Sequence, residues 1–221
     1  MSTGAILLDA AQRNREAGQA AYWSARSKLT LDPVYAGLLA EDLGRARAVT
    51  DLGCGRGLAH AALLAARPSG SERLELTGIE LARGPLAIAR RALGGEATLV
   101  EADLATASLP ASDLFLLLDV LHYLPAGAQD ALLDRVRAAM RPGARLYIRE
   151  ADAGAGGRFA AVRFSERLRA VLRGEGTRPL EYRSAGGWRR ALEERDLTVE
   201  VRPMGSGTPF ANVSIVGRAS A

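Results

Sequence analysis

One stretch limits what this chain can fold into more than any other: Val49-Thr50-Asp51-Leu52-Gly53-Cys54-Gly55-Arg56-Gly57. An apolar run of strand character enters three glycines at alternate positions. An apolar segment of helical character, Leu58 to Ala66, follows. Strand, tight glycine turn and helix together open a nucleotide-binding α/β unit. Glycine suits such a turn because it accepts positive φ and, having no side chain, lets a ligand touch the backbone.

The spacing narrows the ligand. A dinucleotide fingerprint needs Gly-x-Gly-x-x-Gly, whereas Leu58 directly follows Gly57 here. The Gly-Lys-Ser/Thr ending of a P-loop is absent. Downstream, strand and helix patterns alternate: strands at 74–79, 97–100, 114–118 and 145–149, with helices opening at Gly84-Pro85 and Ala128. That rhythm specifies a parallel sheet covered by helices on both faces. Upstream, residues 5–27 read as one helix weakened by Gly18. Ser27 to Pro33 breaks it, and a second helix starts at Asp32-Pro33 with an N-cap and a first-turn proline. Residues 151–184 interrupt the rhythm with a glycine-rich hinge, Gly154 to Gly157, and a helix from Arg158 to about Leu172. Ser184 caps the next helix, and two strands, 197–202 and 211–217, close the chain.

Composition excludes several classes. The chain has 221 residues, 48% of them apolar, which suits one globular domain. Cys54 is the only cysteine, so neither a disulfide framework nor a cysteine-built zinc site is expected. No secretory pattern opens the chain, and Leu114 to Leu118 is too short an apolar run to span a membrane; a cytoplasmic protein is expected. The net charge is +4, almost all of it arginine, since Lys28 is the sole lysine. No nucleic-acid-binding motif accompanies that charge, so no nucleic-acid partner is expected.

Asp51-Leu52-Gly53-Cys54-Gly55-x-Gly57 resembles the first motif of class I S-adenosylmethionine-dependent methyltransferases. Glu80 after the second strand, Glu101-Ala102-Asp103-Leu104 after the third, Asp119 to Pro125 after the fourth and the Arg-Pro-Gly turn before the fifth follow in the family's order. The resemblance implies a Rossmann-like doubly wound α/β sheet of strand order 3-2-1-4-5-7-6 with strand seven antiparallel. It divides a single domain, 1–221, into an N-terminal helical cap (1–44), a cofactor-binding core (45–150), a helical lid insertion after strand five (151–184), and a last helix with the closing strand pair (185–221). It implies S-adenosyl-L-methionine as cofactor, held by Asp51, Gly53, Cys54, Gly55 and Gly57. Glu80 would accept the ribose hydroxyls with Leu81 beside it, Asp103 would meet the adenine amino group, and Leu104 would pack on the ring. Read from the residues themselves, Asp119 would line the methionine end or hold a metal, and Lys28, the sole lysine, would pair with the cofactor carboxylate as a compact charge.

Methyl transfer from a sulfonium is an in-line displacement, so alignment carries most of the catalysis. A hydroxyl acceptor also gains from a base. His122 is the candidate, because histidine titrates near neutrality; His60, on the helix after the glycine turn, reads as structural. No metal is expected. Tyr22, Trp23, Tyr123, Glu150 and Phe210 are the candidate substrate residues. The segments Ser27 to Tyr35, Asp119 to Pro125 and Gly207 to Val213 look like the small methyltransferases of bacterial aryl-polyene pigment pathways. That resemblance implies an aryl substrate, carried in some cases by an acyl carrier protein. Residues 152–183 hold seven arginines against four acids, which suits a basic lid receiving such a partner. A non-catalytic S-adenosylmethionine-binding protein and a methyltransferase of another metabolite or of nucleic acid are the alternatives; the last normally carries Asn/Asp-Pro-Pro-Tyr/Phe after strand four, which Asp119-Val120-Leu121-His122 does not match. The sequence carries no signal for oligomeric state.

Overall fold

The computed structural model describes residues 1–41, 46–68, 70–159, 180–204 and 211–221. Seven strands form one sheet in the order β3-β2-β1-β4-β5-β7-β6: β1 Ala48–Leu52, β2 Glu75–Glu80, β3 Thr98–Glu101, β4 Ser112–Leu118, β5 Met140–Ala151, β6 Thr198–Pro203 and β7 Asn212–Arg218. The first five run parallel, and β7 is antiparallel to both β5 and β6. This is the expected topology. β5 starts earlier than the sequence pattern predicts: Met140 already pairs with Ser112, and the register slips before Leu114 meets Arg145. Gly143, at φ 72°, lies in that irregular stretch.

The strands alternate their side chains between two cores, as a sheet covered on both faces must. Val49, Leu114, Leu116, Tyr147 and Val216 face one core with the N-terminal cap. Leu52, Phe115, Leu117, Leu146, Ile148 and Ile215 face the other. The first core is closed by α1 Thr3–Gln12, α2 Gln19–Leu31, α3 Pro33–Ala40 and α4 Leu58–Ala66. α5 Arg83–Leu93 places Leu93 there too. The second core is closed by α6 Ala126–Ala139 and α7 Ala185–Glu193. At the lower end of the sheet, Asp113 Oδ2 accepts the N–H groups of Arg47 and Ala48 at 2.8 and 2.9 Å and ties the start of β1 to β4.

The cap departs from the expected single helix. A 3₁₀ turn, Arg13–Ala17, follows α1, and Gly18 at φ 105° starts a new helix direction; only glycine takes that angle without strain. α2 then runs through the expected break to Leu31, so Lys28 stands on its last turn. Asp32 is both the end of α2 and the N-cap of α3, its Oδ1 accepting from Val34 N at 3.1 Å. The chain re-enters helix at 157–159; the remainder of the expected lid helix lies outside the described residues. Among the described residues no helix is long and apolar enough to cross a membrane.

Candidate cofactor and acceptor site

Strand order reverses between β1 and β4, and in open α/β sheets ligands bind beyond the strand C-termini at that reversal. The glycine turn follows β1 and the segment 119–123 follows β4, so the topology brings the two richest motifs together. Gly53, Gly55 and Gly57 all have positive φ, at 77°, 54° and 73°. Their roles differ. A Cβ on Gly53 would lie 2.6 Å from Val120 Cγ2, and one on Gly57 would lie 2.9 Å from Leu93 Cδ1. Those two let the turn pack against the β4 segment and α5. A Cβ on Gly55 would meet nothing within 4 Å, so that position opens onto the ligand space.

The turn is held from β2. Gly53 and Cys54 donate to Ile79 O at 2.8 and 3.1 Å. Glu80 Oε2 accepts from Gly55 N at 2.9 Å and Oε1 accepts from Ala82 N at 2.7 Å. Each carboxylate oxygen accepts two bonds, so Glu80 keeps acceptor capacity for ribose hydroxyls while shaping the turn. Cys54 is buried and turns its sulfur toward Gly78, where an added Cβ would lie 2.7 Å away. Burial, then the charges of Asp51 and Glu80, push that thiol up, so Cys54 contributes backbone and packing. Asp51 is buried with Oδ1 making no hydrogen bond. Burial and then the charge of Glu80 push its carboxyl up to about 7. Leu81 is exposed and Leu104 buried, and the exposed Asp103 turns its own loop by accepting from Ala105 N at 2.8 Å. Arg135, which the sequence reading did not single out, fastens that loop through Leu104 O and Ala107 O.

The acceptor half is built from side chains. His122 sits in a 3₁₀ turn, Leu121–Tyr123. Its Nδ1 lies 2.7 Å from Glu150 Oε2, and Glu150 Oε1 accepts from Leu121 N at 2.8 Å and His122 N at 3.4 Å. Both residues are buried. Glu150, expected among the substrate residues, is thus buried with its carboxylate against the imidazole and two backbone N–H groups. The His122 ring stacks on Tyr182 at 4.9 Å and 12°, and meets Tyr123 at 4.2 Å. Phe159 stands edge-on to Tyr182 at 5.1 Å.

Tyr182 is held there by a network invisible in the sequence. Glu181 N donates to His122 O at 2.9 Å, and Gln129 Nε2 donates to Leu121 O, Leu124 O and Glu181 O. Arg183 bonds Gln129 Oε1, both Asp130 oxygens and Ala126 O. The sequence reading grouped Arg183 with the lid's basic face, but its donors are committed to α6.

The other expected residues separate. Tyr22 is buried in the cap core under Arg15, and of that pair only Trp23 is exposed, with Arg26 over its ring at 5.3 Å. Tyr123 is half exposed. Phe210 lies outside the described residues. Lys28 is exposed, and its charge acts on Asp119. His60 is fully buried in α4 and held neutral, its pKa pushed down to about 4 by desolvation, in keeping with a structural role.

Three observations fit S-adenosylmethionine to this site: open space over Gly55, a carboxylate with acceptor capacity beside it, and a buried Asp51 oxygen on β1 that lacks a hydrogen bond.

Comparison with known proteins agrees. Residues 50–146 match a family model described as a methyltransferase domain. No curated protein matches the chain in sequence. Among solved structures, an O-methyltransferase family protein from Burkholderia thailandensis superposes with TM-score 0.71 at 22% identity, covering 95% of this chain and 63% of that one. Mitomycin 7-O-methyltransferase gives 0.65 at 25% identity, covering 92% and 59%. An O-methyltransferase from neocarzinostatin biosynthesis, in complex with S-adenosylmethionine and 2-hydroxy-5-methyl naphthoic acid, gives 0.64 at 25%, covering 91% and 57%. The chain thus spans about three fifths of the length of these structures. With its glycine turn at the sheet reversal and its strand order, the chain has the fold of these methyltransferases, and residues 50–146 carry the match to a methyltransferase domain.

Proposed function

We propose that the chain methylates a hydroxyl of a small aromatic molecule, with S-adenosylmethionine as donor and His122 as base. The observation that carries this is the buried His122–Glu150 pair at the ends of β4 and β5. Glu150 Oε2 accepts a hydrogen bond from Nδ1–H and so fixes the tautomer, which makes Nε2 the proton-accepting nitrogen. The two backbone N–H bonds to Glu150 fix the turn relative to the carboxylate, so the imidazole is oriented before an acceptor arrives.

The glycine turn, Glu80, Leu81, Asp103 and Leu104 hold the nucleoside, and Asp119 the amino-acid end. Once bound, S-adenosylmethionine supplies a methyl group already activated by its positive sulfur. His122 accepts the hydroxyl proton as the oxygen becomes nucleophilic, a step worth ~10²–10⁴-fold. Tyr123, Tyr182 and Trp23 offer aromatic faces that orient a flat substrate and keep water from the base. The neocarzinostatin enzyme, crystallised with a hydroxylated naphthoic acid, supports an aromatic hydroxyl as acceptor.

We extend the proposal to an aryl-polyene precursor borne on an acyl carrier protein. With Arg183 committed to α6, docking falls to the arginines from 158 to 178, most of which lie outside the described residues. Reversing Arg167 and Arg173 to Glu should raise KM for a carrier-bound substrate and spare the free acid, with salt weakening only the former. The broader test is mass spectrometry across free and carrier-bound hydroxyaryl acids. A one-methyl gain on oxygen is expected; methylation confined to nitrogen or carbon acceptors would refute the hydroxyl reading.

A further inference from the structure

Next to the glycine turn lies an ion cluster of which the reading above uses only Asp119. Asp119 ends β4 at φ 58°, a left-handed conformation uncommon outside glycine. Two contacts hold it, both from Arg149 on β5: Asp119 N donates to Arg149 O at 2.9 Å, and Arg149 Nη2 donates to Asp119 Oδ2. The same Nη2 donates to Asp32 Oδ2 at 3.0 Å. Asp32 is 117 residues away in sequence and caps α3. One buried guanidinium therefore bridges the helical cap to the end of β4.

Three features point to a ligand beside it. Asp32 and Asp119 set two carboxylates against one buried guanidinium, and the other cation acting on Asp119 is the exposed Lys28. Arg149 is buried and its Nε makes no hydrogen bond. Asp51, from β1, also has a buried oxygen without a hydrogen bond. Tyr35 joins these groups: burial and then the charge of Asp32 raise its phenol above the ordinary range, with Arg149 opposing and Asp51 and Asp119 adding smaller pushes in the same sense. Val120, next to Asp119, packs over Gly53, so the cluster borders the cofactor turn directly.

Building on the methyltransferase reading, we propose that Arg149 is a positioning residue that holds Asp119 toward the α-ammonium of S-adenosylmethionine and, through Asp32, ties the N-terminal cap to the bound amino-acid end. One nitrogen, Nη2, serves both carboxylates with its two N–H bonds, and a guanidinium keeps its charge when buried, where a lysine loses its own readily. The cap is then coupled to the amino-acid end of the cofactor and not to its nucleoside.

Calorimetry with three ligands tests this on the full chain: S-adenosylmethionine, S-adenosylhomocysteine and 5′-methylthioadenosine. The first two carry the ammonium; the third has the nucleoside but no amino-acid end. Arg149→Met should weaken the first two by about tenfold or more, the scale of a lost charged hydrogen bond, and leave methylthioadenosine within about twofold. Arg149→Lys should restore part of that loss. Asp32→Asn keeps the helix cap, since Asn caps as well as Asp, and removes only the charge; it should weaken the first two ligands by about threefold. Equal weakening of all three ligands, or no weakening of the first two, overturns the inference. A wild-type chain that bound none of them would bring down the methyltransferase reading and this inference with it.

Discussion

The two halves of the site are built by different means. The cofactor half, beyond β1 to β3, rests mainly on backbone: three glycines at positive φ, two bonds to Ile79 O, and a carboxylate one strand away. The acceptor half, beyond β4 and β5, rests on buried side chains joined over long stretches of sequence, such as His122 with Glu150 and Gln129 with Glu181. In the function proposed above, the first recognises a nucleoside, for which a local turn suffices, and the second orients one nitrogen toward an acceptor, which takes partners from several elements. Substitutions in the first half should thus act on cofactor affinity, and substitutions in the second on turnover.

The largest expected effect is at Gly55. Gly55→Val puts a β-branched side chain on left-handed backbone and into the ligand space, and should weaken S-adenosylmethionine binding ~100-fold or more by calorimetry. Retained affinity would mean that the cofactor lies elsewhere. Next is Glu150→Gln, which removes the charge that sets the His122 tautomer. Steady-state kinetics should find kcat down by about 10–100-fold and cofactor affinity unchanged. A shift confined to KM would move Glu150 back to substrate binding. Glu80→Ala comes third: it removes both a ribose acceptor and a brace of the turn, and should cost about 1–2 kcal/mol of cofactor binding.

These expectations follow the division between what was legible in the sequence and what was not. The turn from Asp51 to Gly57, the acids at 80 and 103, and the strand order were readable because each is a local pattern at a strand end. His122 was readable as a histidine after strand four. Its contact with Glu150 was not, since nothing local tells which way a residue at the end of β5 faces. Arg149, Gln129 and Tyr182 were missed for the same reason: their roles come from contacts that exist only once β4, β5, α6 and the 180–183 segment are packed. A charged residue ending the apolar run Leu146-Tyr147-Ile148 was the one available hint for Arg149. The α2 boundary was misread because Asp32-Pro33 marks the start of α3, while nothing in Ser27 to Leu31 prevents α2 from continuing.

The smallest expected effect comes from protonation. Burial and then Glu80 raise Asp51 to about 7; burial, opposed by Arg149, raises Asp119 to about 6. Raised carboxyl values mean that the folded, ligand-free chain keeps protons the unfolded chain has already released. These two groups therefore erode stability as pH climbs from the ordinary carboxylate range to about 7. A cationic cofactor favours the ionised forms, so its affinity should rise a few-fold between roughly pH 5.5 and 8, with proton release visible as a buffer-dependent binding enthalpy. An affinity that falls with pH would have the wrong sign.

The contrast between the halves is tested most directly by His122→Ala beside the wild type, with cofactor affinity and turnover on a hydroxyaryl acid measured in the same preparations. The account predicts turnover reduced by ~100-fold or more and cofactor affinity within about twofold. Turnover within about threefold of wild type at the pH optimum would contradict it and leave His122 as packing between Tyr123 and Tyr182.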